Sequence, residues 1–316
     1  MSHNASVWRL AIAMFFIIIL MIAFSVTSFY SVPAVKARFS YLSYIYFDKC
    51  DNPEDASASI SEALNSDPQN YLYWMESGST YAKEEDYAKS IFYFNKALEL
   101  NQNSDELLLL RGRAYRKNND LDHAKQDLET AVEHCPQNAE YNYELGRVYY
   151  SYGQKSDRQG KDNFERALDC FTKAIKLSPK NKDYYYWRAN TYLWLETRQD
   201  NLKAIDDLTT ALSFQVDNAK YYYWRGRAYT YLKEYSQLKN AISDFTEAIS
   251  IDSTNADYYW WRGQAYFESE QYQDSIEDFD RAIQHESGSA SYYYWKAKAY
   301  GKLGDSASEK NQFKKR

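Results

Sequence analysis

A small residue, glycine or alanine, returns along this chain at Gly78, Gly112, Gly146, Ala189, Gly226, Gly263 and Ala297. The steps between them are 34, 34, 43, 37, 37 and 34 residues. Three residues after each comes a tyrosine: Tyr81, Tyr115, Tyr149, Tyr192, Tyr229, Tyr266 and Tyr300. Further along each unit a frame Ala-x-x-x-Phe/Leu-x-x-Ala recurs, as in Ala124-Leu128-Ala131, Ala167-Phe171-Ala174 and Ala241-Phe245-Ala248. A period of this size means that one supersecondary unit repeats, and that neighbouring units bury each other's apolar faces. The expected fold is all-α and extended along one axis, without a single central core.

Each unit reads as two helices. Between Ala256 and Glu268 the residues Tyr259, Trp260, Gly263, Tyr266 and Phe267 fall at three- and four-residue steps, which puts them on one helical face. A polar turn follows, and Ser275 to Ile283 is amphipathic on the same spacing. Equivalent turns are expected near Lys83–Asp86, Lys117–Asp120 and Ser269–Gln271. The small residue at position 8 lets the two helices approach closely.

The unit resembles the tetratricopeptide repeat (TPR). Trp74, Gly78, Tyr81, Phe94 and Ala97 fit its pattern in one unit, and Gly112, Tyr115, Ala124, Leu128, Ala131 and Pro136 in the next. The resemblance covers about residues 37–316, with units starting near Ala37, Tyr71, Asp105, Ala139, Lys182, Ala219, Ala256 and Ala290. It implies a helical-hairpin solenoid, a right-handed superhelix of about seven repeats behind a degenerate first unit. That first unit keeps Ala56, Ile60, Ala63 and Pro68 but lacks the glycine. Residues 306–316 read as a polar, basic cap. Nine extra residues, Gln154 to Asp162, sit between the helices of the Ala139 unit, and the two following units carry three each. Such insertions lengthen helices or turns, or form a functional loop.

From Leu10 to Val35 no side chain is charged. Some 20 apolar residues cross the hydrocarbon of a bilayer. Residues 10–32 are therefore expected to form a transmembrane signal-anchor helix behind a flank of residues 1–9. A cleaved signal peptide ending near Val32-Pro33-Ala34 is the competing reading, although its apolar region would be unusually long. Arg9 on one side nearly balances Lys36 and Arg38 on the other, so charge decides orientation only weakly. A short flank after the start methionine favours export, with the repeats on the extracytoplasmic side of a single-pass membrane protein.

Composition excludes several function classes. The chain carries 38 basic and 44 acidic side chains, a net charge of −6, which argues against nucleic acid as partner. Cys50, Cys135 and Cys170 show no paired spacing. His3, His123, His134 and His285 are scattered, so no metal site or cofactor is expected. No nucleophile–base set, phosphate loop or paired-carboxylate site stands out, and no enzyme activity is expected.

Two column patterns remain. Position 7 is arginine in Arg111, Arg188, Arg225 and Arg262, and the same four units carry an aspartate at position 23: Asp127, Asp207, Asp244 and Asp278. Where position 7 is Ser77 or Leu145, position 23 is Tyr93 or Cys170. Either these are ion pairs bridging two helices, or the units simply share ancestry.

Position 5 runs Met75, Leu109, Tyr143, Tyr186, Tyr223, Trp260, Tyr294, and position 9 runs Ser79, Arg113, Arg147, Asn190, Arg227, Gln264, Lys298. By the resemblance these positions face a concave groove that takes a partner's peptide or helix. Tyr186, Tyr223, Trp260 and Tyr294 would then be the aromatic contacts. Arg113, Arg147, Asn190, Arg227 and Lys298 would supply polar grip. The alternative is that these side chains pack on one another. A row at position 6, Trp187, Trp224, Trp261 and Trp295, is either packing or a saccharide surface. The sequence thus suggests a membrane-anchored protein-interaction scaffold, with an envelope-assembly or glycan-binding part as the alternative.

Overall fold

The computed structural model describes residues 32–50, 52–155, 160–214 and 218–314. The expected membrane segment, residues 10–32, lies outside these except for Val32. No helix among the described residues is long and apolar enough to cross a membrane.

All regular structure among the described residues is helical. In chain order the helices are α1 Pro33–Lys49, α2 Pro53–Ser66, α3 Tyr71–Lys83, α4 Tyr87–Leu100, α5 Asp105–Lys117, α6 Leu121–His134, α7 Ala139–Lys155 and α8 Gly160–Leu177. They continue as α9 Lys182–Leu195, α10 Arg198–Ser213, α11 Ala219–Leu232, α12 Tyr235–Ile251, α13 Ala256–Glu268, α14 Tyr272–His285, α15 Ala290–Lys302 and α16 Ser306–Lys314. From α3 onward every first helix begins at the residue where its repeat begins. Only α1 differs, starting at Pro33, where proline suits the first helical turn because its missing N–H would have no partner there.

Packing groups the helices into two units, Met1–Pro136 and Gln137–Arg316. Within each, a helix packs on its hairpin partner and on the next hairpin, and successive first helices also touch: α3 with α5, and α7, α9, α11, α13 and α15 in turn.

The glycine column works by close approach. A Cβ on Gly226 would stand 2.8 Å from the Phe245 ring, and one on Gly263 would meet Phe279 at the same distance. Phe94, Phe171, Phe245 and Phe279 are 1 % exposed or less, so in these four hairpins one ring is seated on the opposite backbone; in another, Leu128 takes that place against Gly112. Burying such a side chain contributes roughly 1.5–3 kcal/mol.

The first helices have a shared start signal. Asn70, Asn181, Asn218 and Asn255 occupy the N-cap, and each side-chain oxygen accepts from the N–H two residues on, at 3.0–3.1 Å. An aromatic four residues after the cap ties back the approaching chain. Trp74 Nε1 donates to the Pro68 carbonyl at 2.8 Å, and Tyr185 and Tyr259 donate likewise to Pro179 and Ser253.

The described extra residues of the Ala139 unit, 154–155 and 160–162, belong to its two helices, which are long: α7 has 17 residues and α8 has 18. The added turns repeat the same device, since Gly153 faces Phe164 as Gly146 faces Phe171.

Candidate functional site

The Arg/Asp columns meet. Arg188 Nε and Nη2 donate to the two carboxylate oxygens of Asp207 at 2.8 and 2.6 Å. Arg225 holds Asp244 at 2.8 and 2.7 Å, Arg262 holds Asp278 at 2.7 and 2.8 Å, and Arg111 holds Asp127 at 2.8 and 2.6 Å. This is the two-bond geometry that a planar guanidinium favours. The third donor reaches back to the preceding hairpin: Arg111 Nη1 to Asn95, Arg188 to Thr172, Arg225 to Thr209 and Arg262 to Thr246. Each arginine therefore ties together three helices. Burial pushes the Asp207, Asp244 and Asp278 carboxyls above the usual carboxylate value, against the pull of the arginine bonds. These charges are framework. In the last unit Lys296 takes the same position and bonds Asp280 on the preceding second helix.

The aromatic column forms a ladder with a partner column that the sequence reading missed. Each position 5 ring packs on the position 3 tyrosine of the next unit. Tyr143 meets Tyr184 at 4.9 Å between centroids, Tyr186 meets Tyr221 at 4.8 Å, Tyr223 meets Tyr258 at 5.1 Å and Trp260 meets Tyr292 at 6.1 Å. All are tilted, the arrangement that ring quadrupoles prefer over a face-to-face sandwich. The signal was in the tyrosine runs at 184–186 and 221–223, where the outer members belong to different columns. Tyr184, Tyr221, Tyr258 and Tyr292 are buried, whereas Tyr186, Tyr223, Trp260 and Tyr294 are partly exposed. Burial drives the Tyr223 and Tyr150 hydroxyls up to about 12.

Three of the position 9 cations, Arg147, Arg227 and Lys298, lie on position 6 tryptophans. The Arg227 guanidinium sits between two indoles, 4.4 Å from Trp224 and 4.5 Å from Trp261, and its Nη2 donates to the Tyr231 hydroxyl at 3.1 Å. Arg147 covers Trp187 at 4.6 Å, and Lys298 covers Trp295 at 4.5 Å. A cation over an indole face is attracted by the ring's negative face.

Of the residues read from sequence as contacts, Arg113 lies half-buried on α5 in the first unit, and all the others lie in the second. Asn190 is only 3 % exposed, and its amide donates to the Tyr186 carbonyl at 2.8 Å. It is part of its own helix's packing and is closed to a partner. One turn beyond Asn190 and Arg227 stand two side chains that the columns did not single out, Trp194 and Tyr231, at 47 % and 43 % exposure. Trp194 stacks on Phe164 of the lengthened α8, and its Nε1 donates to the Tyr150 hydroxyl at 2.8 Å. The extra turns of α7 and α8 thus hold an exposed indole in place.

On the second-helix side a cavity of about 630 Å³ opens among α8, the end of α9 and α10. Its Asp200 is occupied by Thr197 and Lys203. Among the described residues no group of three or more His, Cys, Asp or Glu is placed to hold a metal, and Cys50, Cys135 and Cys170 form no disulfide.

Comparison with known proteins agrees with this architecture. TPR family models match residues 112–153, 232–269 and 263–304, and tetratricopeptide repeat models match 71–104 and 170–212. The chain carries tetratricopeptide repeats. It is similar to the photosystem I assembly protein Ycf3 of Synechococcus sp. (strain CC9605), 26 % identical over 117 residues, which are 34 % of this chain and 67 % of that one. It is also similar to tetratricopeptide repeat protein 16 of Macaca fascicularis, 29 % identical over 33 % of this chain but only 12 % of that protein's length. Among solved structures, a tetratricopeptide repeat protein from Parabacteroides merdae superposes with a TM-score of 0.59 at 15 % identity, over 84 % of this chain and 98 % of its own. That likeness concerns the fold.

Proposed function

We propose that this protein is a membrane-anchored interaction scaffold, and that the first helices of the second unit receive a partner's peptide or helical segment. The observation that carries the reading is the wall of rings and cations on α7, α9, α11, α13 and α15. Most of its rings are fixed by packing, yet Trp194 and Tyr231 remain exposed, and the cations beside them keep partly exposed edges. Rigid aromatics give contact area at little entropic cost, and Trp, Tyr and Arg dominate binding hot spots. The similar protein Ycf3 is named as a photosystem I assembly protein. The tryptophan faces at position 6 are taken by cations, which favours this reading over a saccharide platform.

Capture of partners by the full chain in detergent tests the face. Trp194→Ala and Tyr231→Ala are each expected to weaken capture by about 2 kcal/mol, while Glu277→Lys on the exposed side of α14 leaves it unchanged. Capture lost only in the α14 variant would overturn the assignment.

The anchor belongs to the same proposal. Residues 10–32 are retained as one membrane helix, with the repeats on the extracytoplasmic side. The protein is expected to stay in the membrane fraction through a carbonate wash, and release by the wash would end this part of the reading. Protease added to sealed vesicles of known orientation checks the side.

A further inference from the structure

Two kinds of cation stand side by side on α11 and α15. Arg225 and Lys296 are neutralised by Asp244 and Asp280. Two residues further along the same helices, Arg227 and Lys298 lie on ring faces, and among the described residues neither has a carboxylate within salt-bridge distance. Arg147, at the same column position, has Glu144 at 3.4 Å. The chain has an excess of acidic side chains, 44 against 38 basic, yet among the described residues none is paired with these two cations. Both are half-buried and held by π faces, with no counter-ion among the described residues.

We propose that Arg227 and Lys298 are receiving points for acidic side chains of the partner segment. This rests on the first-helix face being the binding face. The chemistry is directional at Arg227. Trp224 and Trp261 cover the guanidinium with their ring faces, so only its in-plane N–H groups are left to meet an acceptor. Nε is buried with no hydrogen-bond partner among the described residues, and Nη2 serves the Tyr231 hydroxyl. The Nη edge is what remains for a carboxylate, which a guanidinium binds in fork geometry. Lys298 offers a point charge two repeats away, against Phe267, Tyr294 and Trp295. A carboxylate arriving at either place meets a charge already stripped of part of its water, so the attraction exceeds that at an open surface. A basic segment would meet two unneutralised like charges and be rejected.

The probes are fluorescein-labelled hexaglutamate and hexalysine, both amidated at the C-terminus, titrated into the full chain in detergent micelles. Hexaglutamate is expected to bind, to bind more weakly as salt rises, and to shift tryptophan emission through Trp224 and Trp261. Replacing both cations, Arg227→Gln with Lys298→Gln, should weaken it by about tenfold or more and abolish the emission change. Lys239→Gln removes a cation lying over Tyr235 on α12 and should change nothing. Circular dichroism of the double variant establishes that it is folded. The proposal is overturned if hexalysine binds as well, if hexaglutamate fails to bind, or if the double variant keeps its affinity. It is also overturned if only a peptide with a free C-terminal carboxylate binds. Any of these, with partner capture still dependent on Trp194 and Tyr231, removes the acidic ligand and leaves the binding face standing.

Discussion

At the scale of single residues, the arginine that ties three helices is the point of greatest leverage. The Arg225 and Asp244 side chains are 18 % and 6 % exposed, so removing one leaves the other poorly solvated. Asp244→Ala is expected to cost roughly 2–4 kcal/mol, somewhat below a fully buried pair because Arg225 still reaches water. Replacing both with apolar residues of similar size, Arg225→Met with Asp244→Leu, should cost less than Asp244→Ala alone. Urea unfolding of the three proteins measures this. A single-variant loss under about 0.5 kcal/mol would show the pair to be decorative. The pairing was legible because the two columns change together. Its third partner, Thr172, Thr209 or Thr246, was not. A threonine on a polar helix face looks solvated until the preceding hairpin is placed against the arginine.

At the scale of elements, the hairpin turns hold a local cost that the repeat pattern hides. In the unexpanded units the three-residue turn puts its middle residue in left-handed backbone: Glu85 at φ 61°, Asn119 at 67° and Glu270 at 64°, with Gly304 at 83° in the last. The turn closes by a bond from the residue after it to the tyrosine carbonyl five residues back, Gln271 N–H to Tyr266 at 2.9 Å. That is a helix end of the kind glycine favours, because an L side chain there meets the carbonyl. Glu270→Gly is therefore expected to stabilise the protein by about 0.5–1 kcal/mol, read as a higher melting temperature. A lower one would mean that the Glu270 side chain has a compensating contact. The sequence placed these turns correctly but gave no sign of the left-handed residue, since glutamate and asparagine stand where glycine is usual. The insertion also needed the structure. From its length it was either loop or helix, and the contact of Gly153 with Phe164 shows the flanking helices carried on past the usual hairpin, to Lys155 on one side and from Gly160 on the other.

At the scale of the whole molecule, the abundance of tyrosine sets the response to alkali. Burial raises Tyr44, Tyr186, Tyr221, Tyr258 and Tyr292 above the ordinary phenol value, and takes Tyr150 and Tyr223 up to about 12. An unfolded tyrosine ionises near 10, so the folded state keeps these protons longer than the unfolded chain does. Their contribution to stability is therefore complete below about pH 10 and drains away as pH rises towards 12. Unfolding followed by circular dichroism should become steep in that window, and tyrosinate absorbance should rise together with the loss of helix. Full tyrosinate absorbance reached before any helix is lost would contradict the burial of these hydroxyls, since their share should appear only with unfolding.

The sequence by itself determined the period, the two-helix unit, the starts of the first helices from α3 onward and the residues of the ion pairs. All of these are set by spacing within one or two turns of chain, where helical geometry dictates which side chains share a face. The division at Pro136, the tyrosine-on-tyrosine ladder and the indole cage around Arg227 were decided only in the tertiary structure. Each depends on which side chain of one hairpin meets which of the next. Identical column letters leave that choice open, and close packing between neighbouring helices settles it.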